Sequence, residues 1–127
     1  MEVIVATNNK FKISEIKSIF SEDTIYTLKD KKIDKEVEED ADTFLRNAKK
    51  KAHEIYNIAS MPVIADDSGL CVNALNGFPG VMTHRFLGEN ATDKDRNEYI
   101  INEVKKCDDK SAKVVCELVY YNGEDTI

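Results

Sequence analysis

Long hydrophobic runs are missing from this sequence of 127 residues, and no stretch approaches the length of a membrane-spanning helix. Met1 leads directly into a strand-like segment, so we expect neither a signal sequence nor a membrane anchor. Cysteine is scarce, with only Cys71, Cys107 and Cys116. Three is an odd number, so the cysteines cannot all pair as disulfides, and they lack the spacing of metal ligands. We therefore expect reduced thiols in a cytoplasmic protein without a membrane partner.

An excess of positive charge is also missing. Lysine and arginine total 18 against 24 aspartates and glutamates, which gives a formal net charge of −6. A nucleic-acid surface needs a basic patch to face the phosphate backbone, so we expect no nucleic-acid partner. A small anionic ligand held by a few local cations or by a metal ion is still compatible with this charge.

Repeats, low-complexity tracts and linkers are absent as well, and the length suits a single domain over residues 1–127. Strand-like and helix-like segments alternate, with a glycine-containing turn cluster at residues 76–80, which predicts an α/β or α+β domain. The predicted strands cover residues 2–6, 24–28, 63–65, 70–74 and 113–121, and the predicted helices cover residues 10–21, 42–59 and 92–106.

Three of these segments carry apolar side chains at spacings that predict buried faces. The strand at 113–121 alternates polar and apolar residues, as a strand of a sheet does. The predicted faces are Ile13, Ile16, Ile19 and Phe20 on the first helix, Phe44, Leu45, Ala48, Ala52, Ile55 and Ala59 on the second, and Val114, Cys116, Leu118 and Tyr120 on the last strand.

Two adjacent carboxylates follow the apolar run at 63–65. Asp66 and Asp67 precede Ser68 and Gly69, which predicts a strand that ends in acids and a turn. Neighbouring carboxylates repel each other, and a divalent metal ion relieves that repulsion. The arrangement therefore favours metal-assisted chemistry on a phosphate or a similar anion. The alternative is that the two acids cap the following turn.

A small polar turn joins the first strand to the first helix. Thr7, Asn8 and Asn9 precede the helix, and Lys12 lies in its first turn. Free N–H groups and the positive end of the helix dipole bind anions at such a position. The alternative is an asparagine helix cap beside lysines that face solvent.

The long helix contributes two more candidates. The first is an acidic cluster just before the helix, which would supply a metal ligand if one of its acids converges with Asp66 or Asp67. The alternative is that the cluster is solvated and only complements the helix dipole. The second is a polar stripe with a spacing of four, and its alternative is an exposed helix face. His84 and Arg85 follow the glycine turn. A lone histidine is more often structural than catalytic, and Arg85 could as easily form a salt bridge as bind phosphate. The cluster is Glu36, Glu38, Glu39, Asp40 and Asp42, and the stripe is Thr43, Asn47 and Lys51.

Together these motifs resemble a known family. The segments at 65–70 (Ala-Asp-Asp-Ser-Gly-Leu) and 75–81 (Leu-Asn-Gly-Phe-Pro-Gly-Val) are similar to the signature of the Ham1/RdgB inosine triphosphate pyrophosphatases. Four motifs occur in the family's order over essentially the whole chain. The other matching residues are Ala6-Thr7-Asn8-Asn9 with Lys12, then Glu39, Thr43-Phe44, Asn47-Ala48 and Lys51-Ala52, then Arg85-Phe86 and Gly88-Glu89.

The resemblance implies a mixed central sheet with flanking helices and a Mg²⁺-dependent hydrolysis of non-standard purine nucleoside triphosphates. ITP, dITP and XTP would give the monophosphate and pyrophosphate. Asp67 would be the proton acceptor and a metal ligand, and Glu39 or its neighbour Glu38 would also hold the metal. The residues implied to contact the triphosphate are Thr7, Asn8, Asn9, Lys12, Lys51 and Ser68.

The sequence departs from the family pattern at its end. The C-terminal third of the family fold, with the Phe-Gly-Tyr-Asp and Ser-His-Arg motifs implied to recognise the base, is not matched. We therefore expect a truncated domain with weak base selectivity and an open sheet edge that a second copy covers as a homodimer. The alternatives are a relative that binds metal and phosphate with little turnover, and a structural or dimerising remnant.

Overall fold

Strands and helices alternate in a computed structural model that describes residues 1–35, 37–88, 90–124 and 126–127. The three predicted helices are confirmed with small shifts at their ends. No helix in these ranges is long and apolar enough to cross a membrane. The elements are β1 Glu2–Val5, α1 Lys10–Ile19, β2 Thr24–Thr27, α2 Phe44–Ala59, β3 Val63–Val72, α3 Asp93–Val104 and β4 Ala112–Tyr121, with short 3₁₀ turns at Asn73–Leu75 and Gly80–Met82.

The described strands form one mixed sheet in the order β2-β1-β3-β4. Strand β1 is parallel to both of its neighbours, with Val3 opposite Ile25 on β2 and Ile4 opposite Val63 on β3. Parallel neighbours need a crossover connection, and α1 and α2 supply the helices in these two connections. The predicted fold class, a mixed central sheet with flanking helices, is therefore confirmed.

The chain divides into two compact units, residues 1–67 with 117–127 and residues 68–116. In the first unit the core joins Ile4 of β1 and Val63 of β3 to the apolar stripe of α2, where Ala48, Ala52 and Ile55 are fully buried. Burial of each large aliphatic side chain stabilises the fold by about 1.5–3 kcal/mol. This packing fixes α2 against the strands that carry the candidate residues. The single domain predicted over residues 1–127 stays a prediction.

The second unit contains the predicted turn cluster. Asn76, Gly77 and Gly80 have φ angles of 55°, 86° and 51°, so the turn cluster is confirmed, and its two glycines have the positive φ that glycine adopts without steric cost. Helix α3 begins with a capping box, in which the Thr92 hydroxyl accepts from the Asp95 N–H at 3.1 Å and the Asp95 carboxylate accepts from the Thr92 N–H at 2.9 Å.

One strand boundary was predicted wrongly. The sequence predicts that a strand ends at Ala65 and that another begins at Leu70, whereas β3 runs without a break from Val63 to Val72. Asp66 and Asp67 therefore lie inside the strand, and Gly69 is part of it rather than of a turn. The strand continues because both carboxylates are buried with side-chain partners, so the acids need not reach solvent.

The predicted apolar face of β4 is also wrong. Val114 and Leu118 of β4 are 75% and 54% exposed, while Val119 on the opposite face is 1% exposed. The alternation is real, but both faces of β4 carry apolar residues, so the pattern could not select the buried one. On α1 the predicted face is borne out in part, because Ile13, Ile16 and Phe20 are half-buried while Ile19 is 73% exposed.

Candidate active site

The site is built around the Asp67 carboxylate in the first unit. Asp67 is only 7% exposed, and its Oδ2 accepts a hydrogen bond from Asn47 Nδ2 at 3.0 Å. Burial raises the pKa of Asp67 above its ordinary value, and the charges of Glu39 and Asp66 act in the same direction. The hydrogen bond from Asn47 and the charge of Lys51 oppose that shift. Acids from two segments therefore lie close enough to repel each other.

Lys51 connects those two segments. Its Nζ lies 2.5 Å from Glu39 Oε1 and donates a hydrogen bond to the backbone carbonyl of Asp66 at 2.9 Å. The Lys51 side chain is 17% exposed, so the ion pair is largely shielded from solvent. Lys51 thus holds the acidic loop that precedes α2 against strand β3.

The polar turn after β1 supplies a second lysine. Asn9 Oδ1 accepts from the N–H groups of Phe11 and Lys12 at 3.0 and 3.3 Å, so the alternative of an asparagine cap is confirmed. The Lys12 ammonium, however, forms an ion pair with Asp66 Oδ2 and does not face open solvent. The turn therefore combines an asparagine cap, which orients the first turn of α1, with a lysine that pairs with Asp66.

A cleft of about 290 Å³ opens beside these groups. Its lining combines polar side chains from the turn after β1 and from the acidic loop with aliphatic side chains. The cleft brings together four of the predicted site residues and adds a third lysine, Lys35. The lining residues are Ala6, Thr7, Asn8, Leu28, Lys35, Val37, Glu39, Lys51 and Ile55.

Glu39, rather than Glu38, faces the site. Glu38 is exposed, and its charge acts on Lys50, whose pKa is raised first of all by a hydrogen bond with Asp40. Burial alternates along residues 37–40, with Val37 and Glu39 half-buried and Glu38 and Asp40 exposed, so neighbouring acids have different environments. Glu36 and Glu89, which belong to the predicted acidic cluster and to a matching motif, lie outside the described residues.

Other predicted residues lie in the second unit. Ser68 follows Asp67 along β3 and is half-buried. His84 is exposed, and Arg85 donates through Nη2 to the Val81 carbonyl at 3.0 Å, which is a backbone contact within its own loop. The structural alternative for Arg85 is therefore favoured.

The donor set fits a magnesium ion that is shared with a substrate. Within the described ranges, no group of three or more His, Cys, Asp or Glu side chains is placed to form an all-protein metal cage. Mg²⁺ needs no such cage, because it is usually held by one or two carboxylates, with phosphate oxygens and water completing the octahedron. The buried carboxylate of Asp67 and the half-buried carboxylate of Glu39 supply oxygen donors of that kind.

Asn47 has a larger role than the sequence indicated. The sequence leaves two interpretations of the polar stripe, a functional site or an exposed helix face. In the structure Asn47 is 0% exposed, whereas Thr43 is the exposed N-cap of α2. The Asn47–Lys51 spacing of four was the available signal, since such residues share one face of a helix. The stripe alone could not show that this face meets the acids.

The fold and these side chains define an α/β protein whose sheet presents acids, held by lysines, beside a helix-capping turn. The Ham1 family model matches residues 3–127, and the chain belongs to this family. The motif-based resemblance is therefore confirmed.

Known relatives agree with this assignment. The dITP/XTP pyrophosphatase of Clostridium tetani is 40% identical over 98% of this chain, and that of Treponema pallidum (strain Nichols) is 40% identical over 97%. The chain spans 65% and 46% of the lengths of these two relatives. The solved Staphylococcus aureus Ham1 protein matches with a TM-score of 0.88 and 35% identity, over 100% of this chain and 67% of its own.

Proposed function

We propose that this chain carries the hydrolytic centre of a nucleoside triphosphate pyrophosphatase acting on non-standard purine nucleotides such as dITP, XTP and ITP. The observation that carries the proposal is the convergence of Asp67, Glu39, Lys51 and Lys12 in one unit. The names of the relatives support the substrate class. We also propose a cytoplasmic localisation, which suits an enzyme that acts on the nucleotide pool.

The proposed reaction is hydrolysis between the α- and β-phosphates. The Asp67 carboxylate orients a water molecule and accepts its proton as the water oxygen attacks the α-phosphorus. The bond to the bridging oxygen breaks, and the electron pair leaves with pyrophosphate. Lys12 and Lys51 stabilise the charge on this leaving group.

Magnesium, held by Asp67 and Glu39 together with phosphate oxygens, would neutralise charge that develops on the phosphates. Thr7, Asn8 and Asn9 lie at the helix-capping turn, where backbone N–H groups bind phosphate oxygens. Ser68, which follows Asp67 in β3, is proposed as a further triphosphate contact only because its motif matches that of the family.

A pyrophosphate-release assay tests the proposal. The protein is incubated with dITP, XTP, ITP, dATP or dGTP, with and without Mg²⁺, beside the Asp67→Asn variant. We expect Mg²⁺-dependent release from the non-standard purines that Asp67→Asn abolishes. Release equal to that of the variant would contradict an enzymatic function for this chain. Metal-dependent binding of dITP without turnover would instead support the alternative of a binding relative.

A further inference from the structure

The Asn47 side chain connects two segments that both carry proposed site residues. Its Nδ2 donates to Asp67 Oδ2 at 3.0 Å, and its Oδ1 accepts from the backbone N–H of Ala41 at 2.8 Å. Ala41 lies two residues after Glu39 in the acidic loop. The side chain is 0% exposed, so neither hydrogen bond is exchanged readily for water.

Asn47 acts on the same helix face as Lys51, which lies one turn further along α2. Asn47 holds Asp67 and Ala41, while Lys51 holds the Asp66 carbonyl and the Glu39 carboxylate. Each of the two side chains therefore contacts both the strand and the loop. Because α2 is packed into the core through Ala48, both contacts start from a rigid element.

We propose that Asn47 is a positioning residue that sets the separation and orientation of the Asp67 and Glu39 carboxylates. The inference rests on the proposed function, in which these two carboxylates hold the metal ion. Residues that orient metal ligands commonly contribute 10- to 100-fold to metal affinity or activity.

The amide is well suited to this task. Its Nδ2 donates to a carboxylate and its Oδ1 accepts from a backbone N–H. Because these two partners differ, they also fix which terminal atom is the nitrogen and which is the oxygen. An alanine offers neither group. A leucine has the same number of side-chain heavy atoms and the same branch point but offers neither group, so it separates a loss of hydrogen bonds from the loss of packing that alanine causes.

The test compares Asn47→Ala and Asn47→Leu with Asn57→Ala, a matched change at an exposed asparagine on the same helix. Binding of Mn²⁺ alone is followed by water-proton relaxation, and dITP hydrolysis is followed across a series of Mg²⁺ concentrations. We expect both Asn47 variants to raise the dissociation constant of Mn²⁺ and the half-saturating Mg²⁺ by about tenfold or more. Asn57→Ala should match the wild type.

Two further readouts separate positioning from general destabilisation. At saturating Mg²⁺ the KM for dITP should change little in the Asn47 variants, and excess metal should restore much of kcat. Amide exchange in the loop at residues 37–43 should accelerate in both variants, since the Ala41 N–H loses its acceptor. Wild-type Mn²⁺ affinity in a folded Asn47→Leu protein, or a wild type that binds no Mn²⁺, would overturn the inference.

If both variants fail to fold, the proposed role of Asn47 is tested by proton NMR of its side-chain amide in the wild type. The Asn47 side-chain amide protons should exchange slowly with solvent and should broaden when Mn²⁺ is added, and sharp signals after Mn²⁺ addition would overturn the inference. A wild type that binds Mn²⁺ but releases no pyrophosphate would contradict the proposed function alone. In that case the Mn²⁺ titrations still test Asn47.

Discussion

At the scale of single residues, the two site lysines lie against acids rather than in solvent. Lys51 pairs with Glu39 and Lys12 pairs with Asp66. Removal of one partner from such a pair leaves a partly buried charge uncompensated, which costs more than the pair itself contributes. The three lysines at 49–51 therefore differ in environment: Lys49 is exposed, Lys50 pairs with Asp40 and Lys51 pairs with Glu39.

We expect Lys51→Met to lower kcat/KM for dITP by about a hundredfold, because a cation beside the leaving group and the link between loop and strand are both lost. Pyrophosphate release measures the effect. Lys49→Met is the matched control, since Lys49 is exposed on the same helix. Equal losses in the two variants would show that general charge, rather than the position of Lys51, supports activity.

Sequence reasoning identified the acids and lysines of the site but could not rank neighbours. Nothing in the run from Glu38 to Asp40 distinguishes the acid that faces Lys51 from those that face solvent. That choice depends on the path of the loop over α2, which is set by contacts such as the Ala41–Asn47 hydrogen bond.

At the scale of elements, the end of β2 is closed by a reciprocal pair. The Thr27 N–H donates to Asp30 Oδ2 and the Asp30 N–H donates to Thr27 Oγ1, each at 3.0 Å. The backbone hydrogen bond from Thr27 lowers the pKa of Asp30 below its ordinary value of 3.8, and the side-chain bond acts likewise. The folded state therefore binds this proton less readily than the unfolded state.

It follows that Asp30 stabilises the fold above a pH of 3.8, and that this contribution is lost as the pH falls through the lower pKa of the folded state. We expect Asp30→Asn to reduce the free energy of unfolding, measured in urea, at about pH 6, and we expect this difference to shrink as the pH falls below 3.8. Asp34→Asn, at an exposed acid nearby, is the control. A pH-independent difference for Asp30→Asn would contradict the linkage.

The start of α2 should contribute to stability in a similar way. Thr43 Oγ1 accepts from the Arg46 N–H at 3.1 Å, which satisfies one of the free donors of the first turn. We expect Thr43→Ala to reduce the free energy of unfolding by about 1 kcal/mol. Thr43→Ser keeps the hydroxyl and should lose much less, so equal losses in denaturant titrations would argue against a cap.

At the scale of the whole molecule, the predicted homodimer stays a prediction. β4 ends the order of the described strands, although the backbone groups of Tyr120 exchange two hydrogen bonds with Ile127, each at 2.9 Å. The open edge expected from the sequence is therefore covered at that point. Apolar side chains on an edge strand, such as Leu118 at 54% exposure, still favour association.

We expect the protein to sediment as a dimer at high concentration and Leu118→Lys to shift it toward the monomer. Sedimentation velocity under reducing conditions measures this, because Cys116 is exposed and its oxidation would give a covalent dimer. Glu117→Gln, on the other face of β4, should leave association unchanged. A wild type that is monomeric at every concentration would contradict the dimer.

The sequence by itself determined the alternation of strands and helices, the caps at Asn9 and Thr92, and the motifs that match the Ham1 family. These features depend on local spacing and local hydrogen bonds, which the order of residues specifies directly. Tertiary structure decided the unbroken course of β3, the exposed face of β4 and the pairing of Glu39, rather than Glu38, with Lys51. Each of these depends on contacts between distant segments, and for Asp67 the deciding contact is the buried amide of Asn47.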